Sequence, residues 1–443
     1  MSKRVDHIVH ELIDQYLLAD DTLRPWIIGF SGGKDSTVLL QLVWKALIKI
    51  KHNLKSPLLR EVHVVSNDTM VENPIITDYV YKVLSQIDQA ALEQDLPIKT
   101  RKTIPRLEDS FWVNLIGRGY PVPNSSFRWC TERLKVRPTS RFILEQLDIS
   151  GEAIILLGTR SSESATRAKS VKKLSVRGKR LSKHPNHQRT NTNAPKKDLR
   201  LEEIWFIINT MPSPWGADNS ELFQIYSDAS ADDYECPTMV TNKGHSSCGQ
   251  SRFGCWVCTV VKEDKSMSAL IENGFGWLAP LLRYRNELVL ERNDPQHRMP
   301  TMRNGRPAIN EMGTYTFKYR ADILNRLLNS QREIQEIKPH LELITNQELI
   351  AIQTTWQRDM NFGYSVSNIY NTVYDKCIDM KKDNEKLQRE EELLKKACKD
   401  SPEDFSVIQD SLALLKNKAI LTKKRGLKDD IEKRIEQSLS STN

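Results

Sequence analysis

The stretch Ile27-Ile28-Gly29-Phe30-Ser31-Gly32-Gly33-Lys34-Asp35-Ser36 constrains this chain more than any other. An apolar run beginning at Trp26 ends in a glycine-rich turn. Asp35–Ile50 then carries Val38, Leu39, Leu42 and Leu47 at helical spacing. A strand that turns on glycines straight into a helix aims several backbone N–H groups at one point. The helix dipole and the Lys34 ammonium add positive charge there, and Ser31 and Ser36 add hydroxyl donors. The turn is therefore read as an anion-binding loop. It is not a Walker A loop, which needs four residues between its glycines and Ser or Thr after the lysine. Here three residues separate Gly29 from Gly33, and Asp35 follows Lys34.

The surrounding pattern predicts an α/β fold, an open parallel sheet with helices on both faces. Glu61–Ser66, Pro97–Thr103 and Ala153–Leu157 read as further strands, and Trp205–Asn209 is another apolar run. Ile75–Leu92 and Thr131–Leu147 read as helices, as does the amphipathic N-terminal stretch. We place this sheet domain at residues 1–230, a Cys-, Gly-, Pro- and Arg-rich region at 231–330, and a charged helical region at 331–443. The last region contains two candidate helices, Lys376–Ala397 and Asp404–Lys424. Residues 171–200 interrupt the sheet domain with ten basic residues against one acidic. They read as a loop or disordered insertion, either a solvated loop or an arm that grips a polyanion.

Every position of SGGKDS matches the signature of the PP-loop ATP pyrophosphatases, which it resembles. The resemblance implies an adenine nucleotide alpha-hydrolase-like fold. In it Ser31, Gly32, Gly33, Lys34, Asp35 and Ser36 hold the pyrophosphate of ATP, and Lys34 and Asp35 have catalytic roles. Three further segments resemble the branch of that family containing the reductases of phosphoadenosine phosphosulfate (PAPS). Val64–Thr69 ends a strand at Asp68, read as a catalytic residue holding magnesium or adenosine. Arg128–Lys135 resembles the family's Cys-x-x-x-x-Lys stretch and offers Arg128 and Lys135 to phosphate or substrate. Leu157–Arg167 matches G-x-R-x-x-E-S-x-x-R, adding Gly158 and Arg160 to the ATP site and Glu163 and Arg167 to the substrate site.

Cys248, Cys255 and Cys258 form a C-x6-C-x2-C cluster. Soft thiolates in such a cluster select zinc or an iron–sulfur centre. A fourth ligand must come from elsewhere, from Cys130 or Cys236, while Cys377 and Cys398 read as ordinary thiols. The whole motif set resembles the Dnd-type DNA phosphorothioation sulfurtransferases over most of residues 25–260. This resemblance rests on the loop, Asn67–Pro74, the Arg-Trp-Cys-Thr segment, Gly158–Ser164 and the late cysteines. It implies that Cys130, Cys248, Cys255 and Cys258 hold a 4Fe–4S cluster. It further implies ATP and Mg2+ as cofactors, DNA as acceptor, a cysteine desulfurase as sulfur donor, and other Dnd subunits as partners.

Net charge is +8 with a sequence pI near 8.9, which weakly favours an anionic partner. Between 281 and 320, Arg283, Arg285, Arg292, Arg298, Arg303, Arg306, Lys318 and Arg320 interleave with Tyr284, Tyr315, Phe317 and Tyr319. That mixture fits a nucleic-acid surface, or equally a protein-binding one. No run of ~18 apolar residues is present, and no signal-peptide pattern opens the chain, so we expect a cytoplasmic protein with no membrane association. Three rival readings remain. A PAPS reductase-like thiol oxidoreductase needs a near-C-terminal cysteine in a Gly-Leu-His setting, but Cys398 lies in Lys-Lys-Ala-Cys-Lys-Asp. A non-catalytic, metal-stapled DNA-binding subunit has no use for an intact SGGKDS loop. A tRNA thiolase shares the loop but not the Dnd-like motif set.

Overall fold

The structure is a computed structural model of the 443-residue chain. It describes residues 2–17, 23–54, 58–163, 181–184, 189–229, 254–302, 307–308, 313–361, 363–378 and 381–399, with short stretches between 404 and 412. The chain divides into two compact units, one of residues 1–105 with 128–276 and one of 106–127 with 277–443.

The first unit is built on a sheet whose central strand is β1 (Trp26–Gly29). The other strands are β2 (Val62–Asn67), β3 (Ile98–Thr103), β4 (Ala153–Leu156), β5 (Ser182–Lys183) and β6 (Thr190–Asn193). Their order is β3-β2-β1-β4-β6-β5. The first five strands of that order run parallel, and β5 joins β6 antiparallel. Ile28 lies opposite Val64 on one side and Leu156 on the other. The chain builds outward from β1 through β2 and β3, then returns to the opposite side of β1 with β4. Ligand crevices of open parallel sheets form at this reversal, beyond the carboxyl ends of the strands.

Side chains alternate across the sheet. Trp26, Ile28, Val62 and Val64 pack on one face with α1 (Ser2–Leu17), α2 (Lys34–Lys49), α3 (Pro74–Glu93), α5 (Leu201–Thr210) and α6 (Asn219–Asp228). Ile27, Val65 and Ile155 pack on the other with Phe142, Ile143 and Leu147 of α4 (Arg137–Ser150). Helices thus cover both faces, as the sequence pattern predicts.

One expectation is corrected. The basic insertion is not loop throughout, because Thr190–Asn193 extends the parallel sheet beside β4. Thr190 and Thr192 are buried while Asn191 and Asn193 are less so, a period-two pattern that the density of lysine and arginine obscures. Residues 164–180 and 185–188 lie outside the described residues. The apolar run Trp205–Asn209 lies within a helix. Its Ile204, Trp205, Ile207 and Ile208 recur at helical spacing, and Glu203 Oε2 accepts the Arg200 backbone N–H at 2.7 Å to close the first turn.

The two-unit division differs from the three regions read in the sequence. Residues 106–127 belong with the C-terminal helices: α8 (Ala279–Glu291), α9 (Phe317–Gln335), α10 (Asn346–Arg358) and α11 (Val366–Tyr374). The ties are specific. Trp112 Nε1 donates to Leu343 O at 2.7 Å, Trp356 Nε1 to Ile116 O at 2.9 Å, and Arg320 Nη1 to Gly117 O at 2.7 Å. No periodicity announces such a crossing. The first unit contains a further helix, α7 (Lys265–Glu272), and the second ends in the charged α12 (Lys381–Ala397). Most of the second expected tail helix lies outside the described residues.

The basic and aromatic stretch at 281–320 contributes in part to the core. Tyr284, Tyr315 and Tyr319 are buried, and so are the guanidinium-bearing Arg285 and Arg320, while Arg283 and Lys318 are exposed. His297 stacks on Tyr319 at 3.9 Å, Arg298 lies over the Tyr315 ring at 4.2 Å, and Arg283 pairs with Glu333. The three tyrosines are turned inward and cannot stack on exposed bases. Arg303 and Arg306 lie outside the described residues. No described helix is long and apolar enough to cross a membrane.

Candidate anion-binding loop and thiol group

The loop leaves β1 with Phe30 N donating to Val65 O at 2.8 Å, which keeps its base in register with β2. Gly32 takes φ +72°, and a Cβ there would lie 2.5 Å from Val80 Cγ2, so only glycine fits. Gly33 is the N-cap of α2, in extended geometry and with no side chain to occupy the free N–H groups of the first turn. Ser36 Oγ donates to Gly33 O at 2.9 Å and accepts the Ser31 N–H at 3.2 Å, which closes the turn on itself. Lys34 is buried, with its Nζ 4.6 Å from the centroid of the Tyr226 ring, and its backbone N–H donates to Tyr226 Oη at 3.4 Å. Tyr226 comes from α6, nearly two hundred residues downstream, and no motif points to it.

Asp35 is held by two cations. Its Oδ1 lies 2.6 Å from both Arg160 Nε and Lys196 Nζ, and its Oδ2 lies 3.3 Å from Arg160 Nη2. Burial works to raise the carboxyl, but Lys196 and Arg160 outweigh it and hold Asp35 at about 2. Gly158 makes the meeting sterically possible, since a Cβ there would stand 3.2 Å from Asp35 O and 3.6 Å from Lys196 Cε. Arg160, expected at phosphate, directs its guanidinium to Asp35 and to Ser162 Oγ at 3.3 Å. Lys196 is fully buried. By sequence it was one of ten basic residues in an insertion, and only its place just after β6 distinguishes it.

A second group forms where β2 ends. Asp68 Oδ1 accepts the Met70 N–H at 2.8 Å, and Oδ2 accepts the Tyr81 hydroxyl at 2.5 Å. Burial and Asp68 together push the Tyr81 phenol upward. Glu72 Oε1 accepts from Thr69 Oγ1 at 3.0 Å and lies 3.4 Å from Lys135 Nζ. The Cys-x-x-Cys segment docks on this same turn: Asn73 N donates to Gly254 O at 3.3 Å and Trp256 N to Val71 O at 3.0 Å. Cys255 Sγ lies 3.3 Å from Thr69 Oγ1. Cys258 interacts electrostatically with both Cys130 and Cys255, and Lys135 with Cys130 and Cys255.

Three motif segments far apart in the chain therefore meet around Glu72. Loss of solvent pushes the Cys255 thiol up, with Glu72 adding to it, and loss of solvent and Cys258 do the same to Cys130. Thiols so placed suit a positive metal centre, which supplies the missing counter-charge. Cys236, Cys248 and Arg167 lie outside the described residues, as does the Glu163 side chain. Among the described residues no three His, Cys, Asp or Glu side chains are gathered as a metal site. Arg128 is exposed.

Residues 25–180 match the family model of the phosphoadenosine phosphosulfate reductase domain. An uncharacterized protein of Methanocaldococcus jannaschii is 32% identical over 146 residues, which is 33% of this chain and 25% of that relative. The match therefore spans about a quarter of the relative's length. Among solved structures, the PAPS reductase of Candida auris is similar at 14% identity and TM-score 0.30, covering 48% of this chain and 87% of that one. The FMN adenylyltransferase of Candida glabrata, in complex with FAD and pyrophosphate, is similar at 14% identity and TM-score 0.31, covering 55% and 69%. The U34-tRNA thiolase of Methanococcus maripaludis, with its 4Fe–4S cluster, is similar at 16% identity and TM-score 0.29, covering 51% and 73%. The loop and its place at the sheet reversal agree with the family match, and residues 25–180 are similar to the PAPS reductase domain.

Proposed function

We propose that this protein cleaves ATP to AMP and pyrophosphate in order to activate a DNA backbone phosphate for sulfur incorporation. The observation that carries the reading is the Ser31–Ser36 turn at the sheet reversal, with its free helix N–H groups and buried Lys34. A non-bridging phosphate oxygen of DNA attacks the alpha-phosphorus of ATP. A new P–O bond forms, the bond to the beta-phosphate breaks, and pyrophosphate leaves onto the loop N–H groups and Lys34. A sulfide-level nucleophile, released from the persulfide of a cysteine desulfurase by a thiol that leaves as a disulfide, then forms a P–S bond as the P–O bond to AMP breaks.

Asp68 keeps unused lone pairs for magnesium or adenosine, since each of its oxygens accepts a single hydrogen bond from Tyr81 or Met70. Cys130, Cys248, Cys255 and Cys258 would hold a 4Fe–4S cluster, which supplies an electron-rich, sulfide-bearing centre when bound. Cys255 stands on the Thr69–Glu72 turn, and Glu72 lies 3.4 Å from Lys135 of the Cys130 segment, but the ligand set itself rests on the resemblance. DNA as acceptor rests on the resemblance of the motif set to the Dnd sulfurtransferases, and so does assembly with other Dnd subunits. The basic insertion 171–200 supplies candidates for gripping the DNA.

The test is release of AMP and pyrophosphate from ATP by the full-length protein, with duplex DNA, tRNA or sulfate nucleotides as acceptor. We expect DNA alone to stimulate release, and phosphorothioate to appear in the DNA when a desulfurase and cysteine are added. Stimulation by tRNA or a sulfate nucleotide instead of DNA would overturn the acceptor assignment.

A further inference from the structure

We propose that Lys196 is a positioning residue of the anion site, acting through Asp35 to hold the loop in its binding geometry. The inference rests on the reading of Ser31–Ser36 as a pyrophosphate site and deepens it. Asp35 stands in the first turn of α2, directly after Lys34, whose ammonium would meet the anion. Its carboxylate is joined on one side to Arg160, four residues past β4, and on the other to Lys196, three residues past β6. The first turn of α2 is thereby fastened to the ends of two strands.

The segment bearing Lys196 is itself stapled to the β4 turn. Leu157 N donates to Asn193 O at 2.8 Å, and Ser161 N donates to Lys197 O at 2.8 Å. Lys196 therefore has little freedom, and its stem passes Gly158, with Cε 3.6 Å from where a Cβ would stand. A buried lysine is retained at such a place only if its charge is matched, and Asp35 matches it at 2.6 Å. Arg160 alone would already neutralise Asp35. The second cation leaves the three residues at net +1 (two cations, one carboxylate) beside a loop suited to anions.

The experiment is calorimetric titration of the full-length protein with inorganic pyrophosphate and magnesium at pH 7 and pH 5. Three chains are compared: wild type, Lys196→Met, and the double variant Asp35→Asn/Lys196→Met. Lys196→Met keeps the Asp35–Arg160 pair, so the fold should survive, which circular dichroism checks. We expect it to bind pyrophosphate roughly tenfold or more weakly at pH 7, the scale of one charge-assisted hydrogen bond. The loss should hold at both pH values, read as the ratio to wild type, which cancels the protonation of pyrophosphate itself.

The double variant restores the wild-type net charge of +1 without the tether. It should stay weak at both pH values. Its recovery to wild-type affinity would show that charge alone matters and overturn the positioning role. So would binding within twofold of wild type by Lys196→Met at both pH values. Absence of pyrophosphate binding by wild type would instead remove the reading on which the inference rests.

Discussion

The two units each contain a charged knot, and the knots are opposites. In the first, one carboxylate, Asp35, is held by two buried cations. In the second, one cation, Arg326, meets Glu287 at 3.0 Å, Glu291 at 2.7 Å and Asp322 at 2.8 Å, for a net charge of −2. Burial works to lower the Arg326 guanidinium, but Glu291 and the other carboxylates outweigh it and hold it above its ordinary range. The Arg326 knot lies on the surfaces of α8 and α9, with its carboxylates a third or more exposed. The Asp35 knot lies where three strands end, next to a glycine turn. The charge excess is positive beside a loop of free N–H groups and negative on helix flanks. Ion pairing by itself therefore marks no site. The sign of the excess and the backbone beside it do.

The largest effect that would sharpen this contrast is at Lys34. Lys34→Ala should lower pyrophosphate release a hundredfold or more, about 3–4 kcal/mol in the transition state, with the fold intact. Single-turnover kinetics checks it, and undiminished release would place the chemistry elsewhere.

Asp35→Asn comes next and reads stability. It leaves two buried cations without their carboxylate, and we expect a loss of about 3–5 kcal/mol in urea unfolding at pH 7. The acid limb gives a second readout. Asp35 sits at about 2 in the folded chain against an ordinary 3.8. Its stabilisation is complete above about pH 5 and is lost as pH falls toward 2, on the order of 2 kcal/mol in all. The variant should lack that component of acid sensitivity. An acid limb identical to wild type would show that the pairing contributes nothing.

The cysteines test the other end of the same sheet edge. Anaerobically purified protein should be brown, with about four iron and four sulfide per chain. Cys130→Ser, Cys248→Ser, Cys255→Ser and Cys258→Ser should each lose the colour, while Cys236→Ser, Cys377→Ser and Cys398→Ser keep it. Zinc without sulfide would exclude the iron–sulfur reading, and colour lost only on changing Cys236 would displace Cys130 as fourth ligand.

The smallest effect belongs to the second knot. Glu287→Gln removes one partly exposed partner of Arg326 and leaves two, so unfolding free energy should change by less than about 1 kcal/mol. A loss as large as that of Asp35→Asn would erase the distinction between the knots.

Local pattern was enough for much of this molecule. The glycine turn, its helix, the strands from Trp26 to Leu156 and the amphipathic first helix all follow from short-range periodicity and from the φ that Gly32 must adopt. The motifs at 67–74, 128–135 and 157–163 are equally local, and the first and last fall at the strand ends where an open sheet gathers ligands. Tertiary structure decided what those residues touch. Tyr226 under Lys34, Lys196 on Asp35 and Glu72 beside Lys135 are pairings across long stretches of chain, and nothing in composition distinguishes a lysine that will be buried from one that will be solvated. The same holds within 281–320, where Tyr284, Arg285, Tyr315, Tyr319 and Arg320, which read as a surface, pack inward. Arg320 finds Gly117 O and Tyr319 finds Glu291, partners supplied by other elements. Periodicity records which way a residue faces along its own element, whereas burial of a charge depends on a partner that only the folded chain brings within hydrogen-bonding distance.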